Sequence, residues 1–520
     1  VSEGIGDVVR FWASRLPDRA AIRVPGREIG WAEFNRLTDE LAAGFSRSGI
    51  GRGDVVGILL GNRVEFLEVM IAAMKIGAIV ELLNIRLTPA ELVHPVTDAA
   101  ARLVVTEPGM IDLLSLAVKA RPDLRIAVTE PVPGCELLTA MRVSGGRPAP
   151  IDIARGDPAV ISYTSGTTGV PKGALLSHGA IRAGGINHSL ARPLSFEDRI
   201  LLALPLAFAG GAVTTYLGWA VISGATMVIA PNSDPETLLH ILETERITAW
   251  PSVSTICEMM VAHPRFNEID LSRLRFAMTG GAPVSQELLR AWQARGVALT
   301  QGYGSTETSG QSASILFGED AVRKLGSAGR PMMHIDARVV DDQDNDVPVG
   351  TAGELILRGP ILFSGYLNRP EEMAQAMRGG WLHTGDMAQF DDEGFLTIVD
   401  RLKDMIISGG LNVYPAEIER SLARRAGLEQ FAVIGVADQR WGEVPMIVAC
   451  GLDKVDLPEL AKICATELAD YKRPRYIVGH DGPLPVTMSG KVLKKPLRDL
   501  HATIPADAVD LKNLVRRETA

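Results

Sequence analysis

Between Trp31 and Leu83 the apolar residues change their period repeatedly. In WAEFNRLTDELAAGFSRSGI (31–50) they recur at helical spacing, DVVGILLG (54–61) is a short unbroken run, and VEFLEVMIAAMKIGAIVELL (64–83) passes from helix back to strand. The rhythm continues through RITAWPS (246–252), RFAMTGGA (275–282) and VALTQGYG (297–304). Helix alternating with short apolar strand is the βαβ pattern, so the chain is read as α/β, with a largely parallel sheet covered by helices. Ligand sites are then expected at the carboxyl ends of strands, where the glycine-rich loops fall.

At 520 residues the chain exceeds what one hydrophobic core usually serves, and two or more domains are expected. From about residue 330 the pattern becomes closely spaced short strands and acidic turns, as in ARVVDDQDNDVPVGTAGELILRG (337–359), which predicts a small antiparallel sheet or β-barrel. After DRLKDMIISGG (400–410) helix and strand alternate again in PAEIERSLARRAG (415–427) and QFAVIGVAD (430–438). There Pro415 suits a first helical turn, and Glu417 and Glu419 suit the dipole. The expected division is a large N-terminal domain, 1–400, of βαβ-type subdomains plus the barrel, and a smaller α+β C-terminal domain, 401–520.

A net charge of −9 without a long basic run argues against nucleic-acid binding. The four cysteines, Cys135, Cys257, Cys450 and Cys464, are too scattered for a zinc knuckle and too few for a disulfide framework, so reduced thiols and a cytoplasmic protein are expected. The opening VSEGIGDVVRFWASRLPDRAA has acidic residues and no basic-then-apolar run, unlike a secretory signal. One stretch, Ile200 to Pro231, carries no charge and is long enough to span a bilayer. Its prolines and glycines favour strand, turn, helix and strand buried in protein. No transmembrane segment is therefore expected, while peripheral membrane association and a homodimer stay open.

The loop in YTSGTTGVPKG (163–173) lies between apolar runs AVISYT and GALLS, both strand-like, with Ser177 placed to cap a helix from His178. A Walker A loop feeds a helix and ends in lysine followed by Ser or Thr, whereas Lys172 follows Pro171 and precedes Gly173. Phosphate remains the natural ligand. Gly166, Gly169 and Gly173 let backbone approach an anion, Ser165, Thr167 and Thr168 donate, and Lys172 adds a cation, with Thr164 counted among the expected nucleotide contacts.

This loop resembles the signature of the adenylate-forming superfamily, which includes acyl-CoA synthetases, peptide-synthetase adenylation domains and luciferases. Further matches follow in the family's order: GGAP (280–283), QGYGSTET (301–308), WLHTGD (381–386), DRLKDMIISGGLNVYPAEIE (400–419) and SGKVLKK (489–495). The resemblance spans essentially the whole chain and is closest to bacterial fatty-acyl-CoA or aryl-CoA ligases.

It implies a two-step reaction. A carboxylate attacks the α-phosphate of ATP to give acyl-AMP and pyrophosphate, and a thiol then displaces AMP. By resemblance, Thr306 contacts phosphate and Glu307 binds Mg2+. Gly280, Gly281, Ala282, Pro283 and Tyr303 form the adenine slot, and Asp386 and Arg401 hold the ribose. Lys491 is expected to neutralise charge at the α-phosphate, after which the C-terminal domain swings about a hinge at Lys403 to admit the thiol past Gly409.

Trp441, Tyr471 and Arg473, with Lys472 and Arg86, resemble the surface that CoA ligases use for the nucleotide of coenzyme A. A carrier-protein thiol is the rival acceptor, and a catalytically silent nucleotide-binding protein is the rival class; luciferase-like oxidation has no sequence support. The acid pocket is assigned to Phe208, Ala209, Gly210, Trp250 and Gly304. Ala209 stands where peptide-synthetase domains carry the aspartate that pairs an α-amine, which argues against amino acids. No cation is evident for a second carboxylate, so an apolar fatty or aryl acid is expected. Phe208 in place of a common His, and Leu411 in place of a common Glu, depart from the family pattern.

Overall fold

The computed structural model describes residues 2–164, 170–281, 284–310, 313–409, 411–423, 425–486 and 492–518. Two compact units divide the chain: residues 1–336 with 357–382, and residues 337–356 with 383–520. The second unit thus begins well before the boundary expected at residue 401.

The first unit carries two helix-covered sheets. One contains β1 (Val55–Leu59), β2 (Ile79–Leu82), β3 (Leu103–Thr106), β4 (Arg125–Val128) and β5 (Pro158–Thr164), parallel to their neighbours, and β6 (Lys172–Ser177), antiparallel to β5. Strands β1 to β3 are wholly buried, because a parallel sheet with helices on both faces has no polar side. That is why their sequences read as unbroken apolar runs.

Helix α1 (His178–Ala191) follows β6 and leads to the second sheet. Its parallel centre is β7 (Arg199–Leu202), β8 (Thr226–Ile229), β9 (Ala249–Val253), β10 (Phe276–Gly280) and β11 (Leu299–Tyr303), in the order β11-β10-β9-β7-β8. Between β7 and β8 runs α2 (Gly210–Val221), a π-helix of 12 residues. The uncharged stretch from residue 200 to 231 is therefore strand, turn, helix and strand, and no helix among the described residues is long and apolar enough to cross a membrane.

On one face of this sheet Leu201, Val228, Trp250, Ala277 and Leu299 share a core with the helices Pro235–Thr244, Ser254–Ala262 and Gln286–Ala294. Helix α2 packs with α1 beside β7.

The expected small antiparallel sheet comprises five strands, Asp336–Val340, Gly353–Arg358, Met377–Arg378, Trp381–Phe390 and Leu396–Arg401. Beyond it Phe431–Asp438, Gly442–Cys450 and Tyr476–His480 form a mixed sheet, with Gly442–Cys450 antiparallel to the first and parallel to the last. Helix Pro415–Leu422 begins at the anticipated proline, with Glu417 in its first turn. Glu417 and Glu419 also pair with Lys472 and Lys494, at 2.7 and 2.8 Å. All four cysteines are free, Cys257 and Cys464 buried and the others half-buried.

Candidate active site

The phosphate-loop segment joins strand to strand. Thr164 pairs with Lys172 across the β5–β6 hairpin, and Ser177 accepts at Oγ from the Ala180 amide at 3.1 Å, capping α1 as its position suggested. Ser165, Gly166, Thr167, Thr168 and Gly169 lie outside the described residues. Gly173 has a packing reason besides backbone approach to an anion: a Cβ there would stand 3.1 Å from the Tyr163 ring.

Lys172 places its ammonium 5.3 Å from the centre of the Tyr366 ring. Tyr366 belongs to the two-residue strand Gly365–Tyr366, antiparallel to β6 with Tyr366 opposite Ala174. Its hydroxyl donates to Glu307 Oε1 at 2.8 Å, and the Phe363 amide donates to the Glu307 carbonyl at 2.8 Å. One tyrosine thus presents its ring to a cation and its hydroxyl to a carboxylate. Sequence reasoning selected Lys172 and Glu307 and missed Tyr366, whose role depends on strand pairing that no local pattern announces.

The carboxyl ends of β9, β10 and β11 lie side by side, with Val253 opposite Gly280 and Thr279 opposite Gln301. Beyond β10, Gly281 takes φ +81°, and a Cβ on Gly280 would lie 2.9 Å from the Gly302 carbonyl oxygen. Ala282 and Pro283 lie outside the described residues. Half-buried Tyr303 ends β11, exposed Gly304 follows, and Thr306 and Glu307 sit in a single 3-10 turn whose entry is held by the Ser305 amide donating to Thr308 Oγ1 at 2.8 Å.

Asn62 pins the turn after β7 by donating to the Leu204 carbonyl (2.9 Å) and accepting from the Leu206 amide (2.8 Å). Past the turn, Phe208 covers Gly210, where a Cβ would fall 2.6 Å from the ring, and Thr214 bonds the Gly310 carbonyl. Ala209 is buried, and its carbonyl oxygen would stand 3.0 Å from a Cβ on Gly310. Segments 206–214 and 304–310 therefore meet as the pocket reading requires. Trp250 does not join them. It is fully buried in the core, its ring 5.4 Å from that of Trp292, because its position on β9 faces the covering helices.

In the second unit Asp386 lies opposite Arg401 across two strands, and their charged groups meet at 2.5 Å with Asp386 buried. Lys403 is exposed, and partial desolvation of its ammonium holds it below the usual lysine range. Val486 and Val492 bridge the ends of the segment containing Lys491, which itself lies outside the described residues. Arg86 is exposed in the turn after β2.

The Gly409 amide donates to the Trp441 carbonyl at 2.8 Å, and a Cβ on Gly409 would stand 2.7 Å from the Trp441 ring. Gly409, Leu411, Trp441, Tyr471 and Cys464 line a cavity of about 270 Å³. Leu411 is thus an apolar wall residue. A larger cavity, about 680 Å³, adjoins Trp441 and includes Arg440, Arg475 and Lys512. Arg473 lines the 270 Å³ cavity as well, and its Nε and Nη2 donate to the carbonyls of Leu468 and Ala465 at 2.9 and 2.7 Å, closing the end of helix Leu457–Glu467.

Parallel sheets whose carboxyl ends gather a glycine-framed hairpin, a lysine and a carboxylate, followed by a smaller α+β lobe, define an adenylate-forming enzyme. Comparison with known proteins agrees. The AMP-binding enzyme family matches residues 9–367 and its C-terminal domain matches residues 417–491, and this chain belongs to that family. It is 37% identical over 499 residues to a feruloyl-CoA synthase of Amycolatopsis sp., covering 96% of this chain and 99% of the relative. It is 34% identical over 507 residues to the long-chain-fatty-acid CoA ligase FadD13 of Mycobacterium tuberculosis, covering 97% and 100%. The o-succinylbenzoate CoA synthetase of Bacillus subtilis, solved with its acyl-adenylate intermediate, matches with a TM-score of 0.84 at 28% identity, covering 95% of this chain and 98% of that one.

Proposed function

We propose that this protein is an ATP-dependent carboxylic acid:CoA ligase that activates a fatty or aryl acid. The substrate carboxylate attacks the α-phosphorus of ATP, the bond to the bridging oxygen breaks, and pyrophosphate leaves with its electron pair. The CoA thiolate then attacks the acyl carbon of acyl-AMP, and AMP departs as the phosphate anion. A carboxylate is a poor electrophile until its oxygen becomes part of such a leaving group, and the two anions approach only where their charge is neutralised.

The observation that carries this reading is the Lys172–Tyr366–Glu307 arrangement at the mouth of the β5–β6 hairpin. Lys172 and the hydroxyls of Thr164, Ser165, Thr167 and Thr168 are assigned to the phosphates, and Thr306 joins them. Glu307, oriented by the Tyr366 hydroxyl, is a hard oxygen donor suited to Mg2+, which takes one or two carboxylates alongside phosphate oxygens and water. When bound, the ion neutralises phosphate charge. Gly280 to Pro283 and Tyr303 flank adenine, and the paired Asp386 and Arg401 face ribose.

The lobe from residue 401 turns about Lys403, offering Lys491 during adenylation and the Gly409–Trp441–Tyr471 face during thiolysis. The acid lies along Phe208, Ala209, Gly210 and Gly304. The protein works in the cytoplasm, and a homodimer is compatible with this scheme.

An ATP–pyrophosphate exchange assay over a panel of acids, followed by detection of the CoA thioester, tests the proposal. Acid-dependent exchange with thioester formation supports it. Exchange without transfer to CoA would instead point to a carrier-protein thiol, and no exchange with any acid to a nucleotide-binding protein.

A further inference from the structure

Arg192, just past the end of α1, is 2% exposed. Its Nη2 donates to Thr300 Oγ1 at 3.0 Å, its Nη1 lies 3.3 Å from His188 Nδ1, and its guanidinium carbon stands 5.0 Å from the Trp219 ring centre. No carboxylate among the described residues pairs with it. Each of these neighbours is uncharged: a hydroxyl, an indole, and an imidazole that burial and the adjacent guanidinium hold well below its usual pKa. A guanidinium offers five donors, and a buried cation without a counter-charge is costly. The wholly buried indole N–H of Trp219 also finds no acceptor among the described residues.

Trp219 shares α2 with Gly210, and Thr300 lies on β11, which leads into Gly304; both glycines are assigned to the acid. Helix α2 carries Gly210 at one end and Trp219 two turns further on. Strand β11 ends at Tyr303, and Thr300 precedes it by three residues, about 10 Å at roughly 3.3 Å per residue. Gly210 at the end of α2 and Gly304, directly after β11, are candidate acid-site residues, and the donor cluster lies further along both elements. Gly185 fixes α1 against α2, since a Cβ on it would fall 2.8 Å from the Gly218 carbonyl oxygen.

We propose that Arg192, supported by Trp219 and Thr300, receives an oxygen acceptor at the far end of the substrate, so that the preferred acid is an aryl acid ending in a phenolic or carboxylate oxygen. This rests on the ligase reading and refines its substrate. It also changes the expectation of an apolar acid, because the cation lies outside the segments from which that expectation came.

The test uses the full-length protein and three cinnamates differing only at the para position: methyl, hydroxyl and carboxylate. For the wild type, kcat/KM in pyrophosphate exchange should favour the hydroxyl or the carboxylate acid over the methyl acid by at least about tenfold, as expected for a hydrogen bond to a charged donor. The hydroxyl and carboxylate arms separate the two sources of the acceptor. Arg192→Met should abolish that preference while the methyl acid reacts about as well as before. Trp219→Phe, which keeps most of the ring, should weaken the preference in the same direction and stands in if Arg192→Met fails to fold. Wild-type preference for the methyl acid, or an unchanged preference in the folded variants, would overturn the proposal and leave the ligase reading intact. Absence of exchange with every acid would remove both.

Discussion

The Tyr366 hydroxyl donates to Glu307 Oε1 across 2.8 Å while Lys172 stands over the same ring. The pairing holds the carboxylate in one orientation without placing a second negative charge beside it, which suits a group meant for a phosphate-bound cation.

Tyr366→Phe removes that bond and keeps the ring beneath Lys172. A hydrogen bond to a charged group contributes about 1.5–3 kcal/mol. The variant should therefore lose about tenfold or more in kcat/KM for ATP and need more magnesium for half-maximal exchange, with an unchanged melting temperature. Equal activity at limiting magnesium would show that Tyr366 does not orient Glu307.

Lys491→Ala should suppress acyl-AMP formation by orders of magnitude, because a cation at the α-phosphate acts only while charge develops there. Thioester formation from supplied acyl-AMP should fall about threefold at most, since that step has no pentavalent phosphorus to stabilise. Rapid-quench measurement of each half-reaction decides it. Equal losses in both would refute a role confined to adenylation.

What could be read in the sequence was what depends on local chemistry. The strand-to-strand phosphate loop, the Ser177 cap and the first-turn Pro415 follow from residues a few positions apart, and all are present. Side chains whose roles depend on distant segments were hidden. Tyr366 acquires its role from pairing with β6, and Arg192 from burial against β11 and α2. Trp250 illustrates the limit differently. In a strand buried on both sides, alternation does not reveal which side chains face the ligand, and Trp250 faces the core.

Glu81 supplies a pH dependence. It is wholly buried on β2, neither carboxylate oxygen has a partner among the described residues, and burial pushes its pKa up to about 8. The folded state thus keeps a proton that the unfolded chain releases near pH 4.5. Stability contributed at this position is complete below pH 4.5, declines as pH rises toward 8, and levels off above it. Glu81→Gln cannot ionise. Its melting temperature relative to wild type should climb between pH 5 and pH 8, by an amount on the order of a few kcal/mol in stability. A difference that stays flat across this range would show that Glu81 is already ionised or hydrated in the folded protein.

Arg473 should act on stability more than on CoA. Its two donated bonds close helix Leu457–Glu467, so Arg473→Ala is expected to cost about 1–2 kcal/mol in denaturant unfolding. The ratio of kcat/KM for CoA to that for dephospho-CoA should stay as in the wild type. A drop in that ratio with unchanged stability would return Arg473 to the phosphate-binding surface.

Gly409 separates the two half-reactions from the other side. Its φ of +59° disfavours any residue with a Cβ, and that Cβ would press to 2.7 Å from the Trp441 ring. Gly409→Ala must therefore either strain the backbone, at about 1–2 kcal/mol, or displace the indole from the wall of the 270 Å³ cavity. In the proposed scheme adenylation makes no use of that wall, so pyrophosphate exchange should change less than about twofold, a few tenths of a kcal/mol. The same scheme places CoA along it, so KM for CoA should rise about tenfold, the equivalent of 1.4 kcal/mol. Trp441→Ala supplies the control, because it empties the space the new methyl group would contest. In the double variant the added loss from Gly409→Ala should largely disappear, as expected for two residues in direct contact. Additive losses would mean that Gly409 limits the thiol step through its backbone conformation and not through the indole.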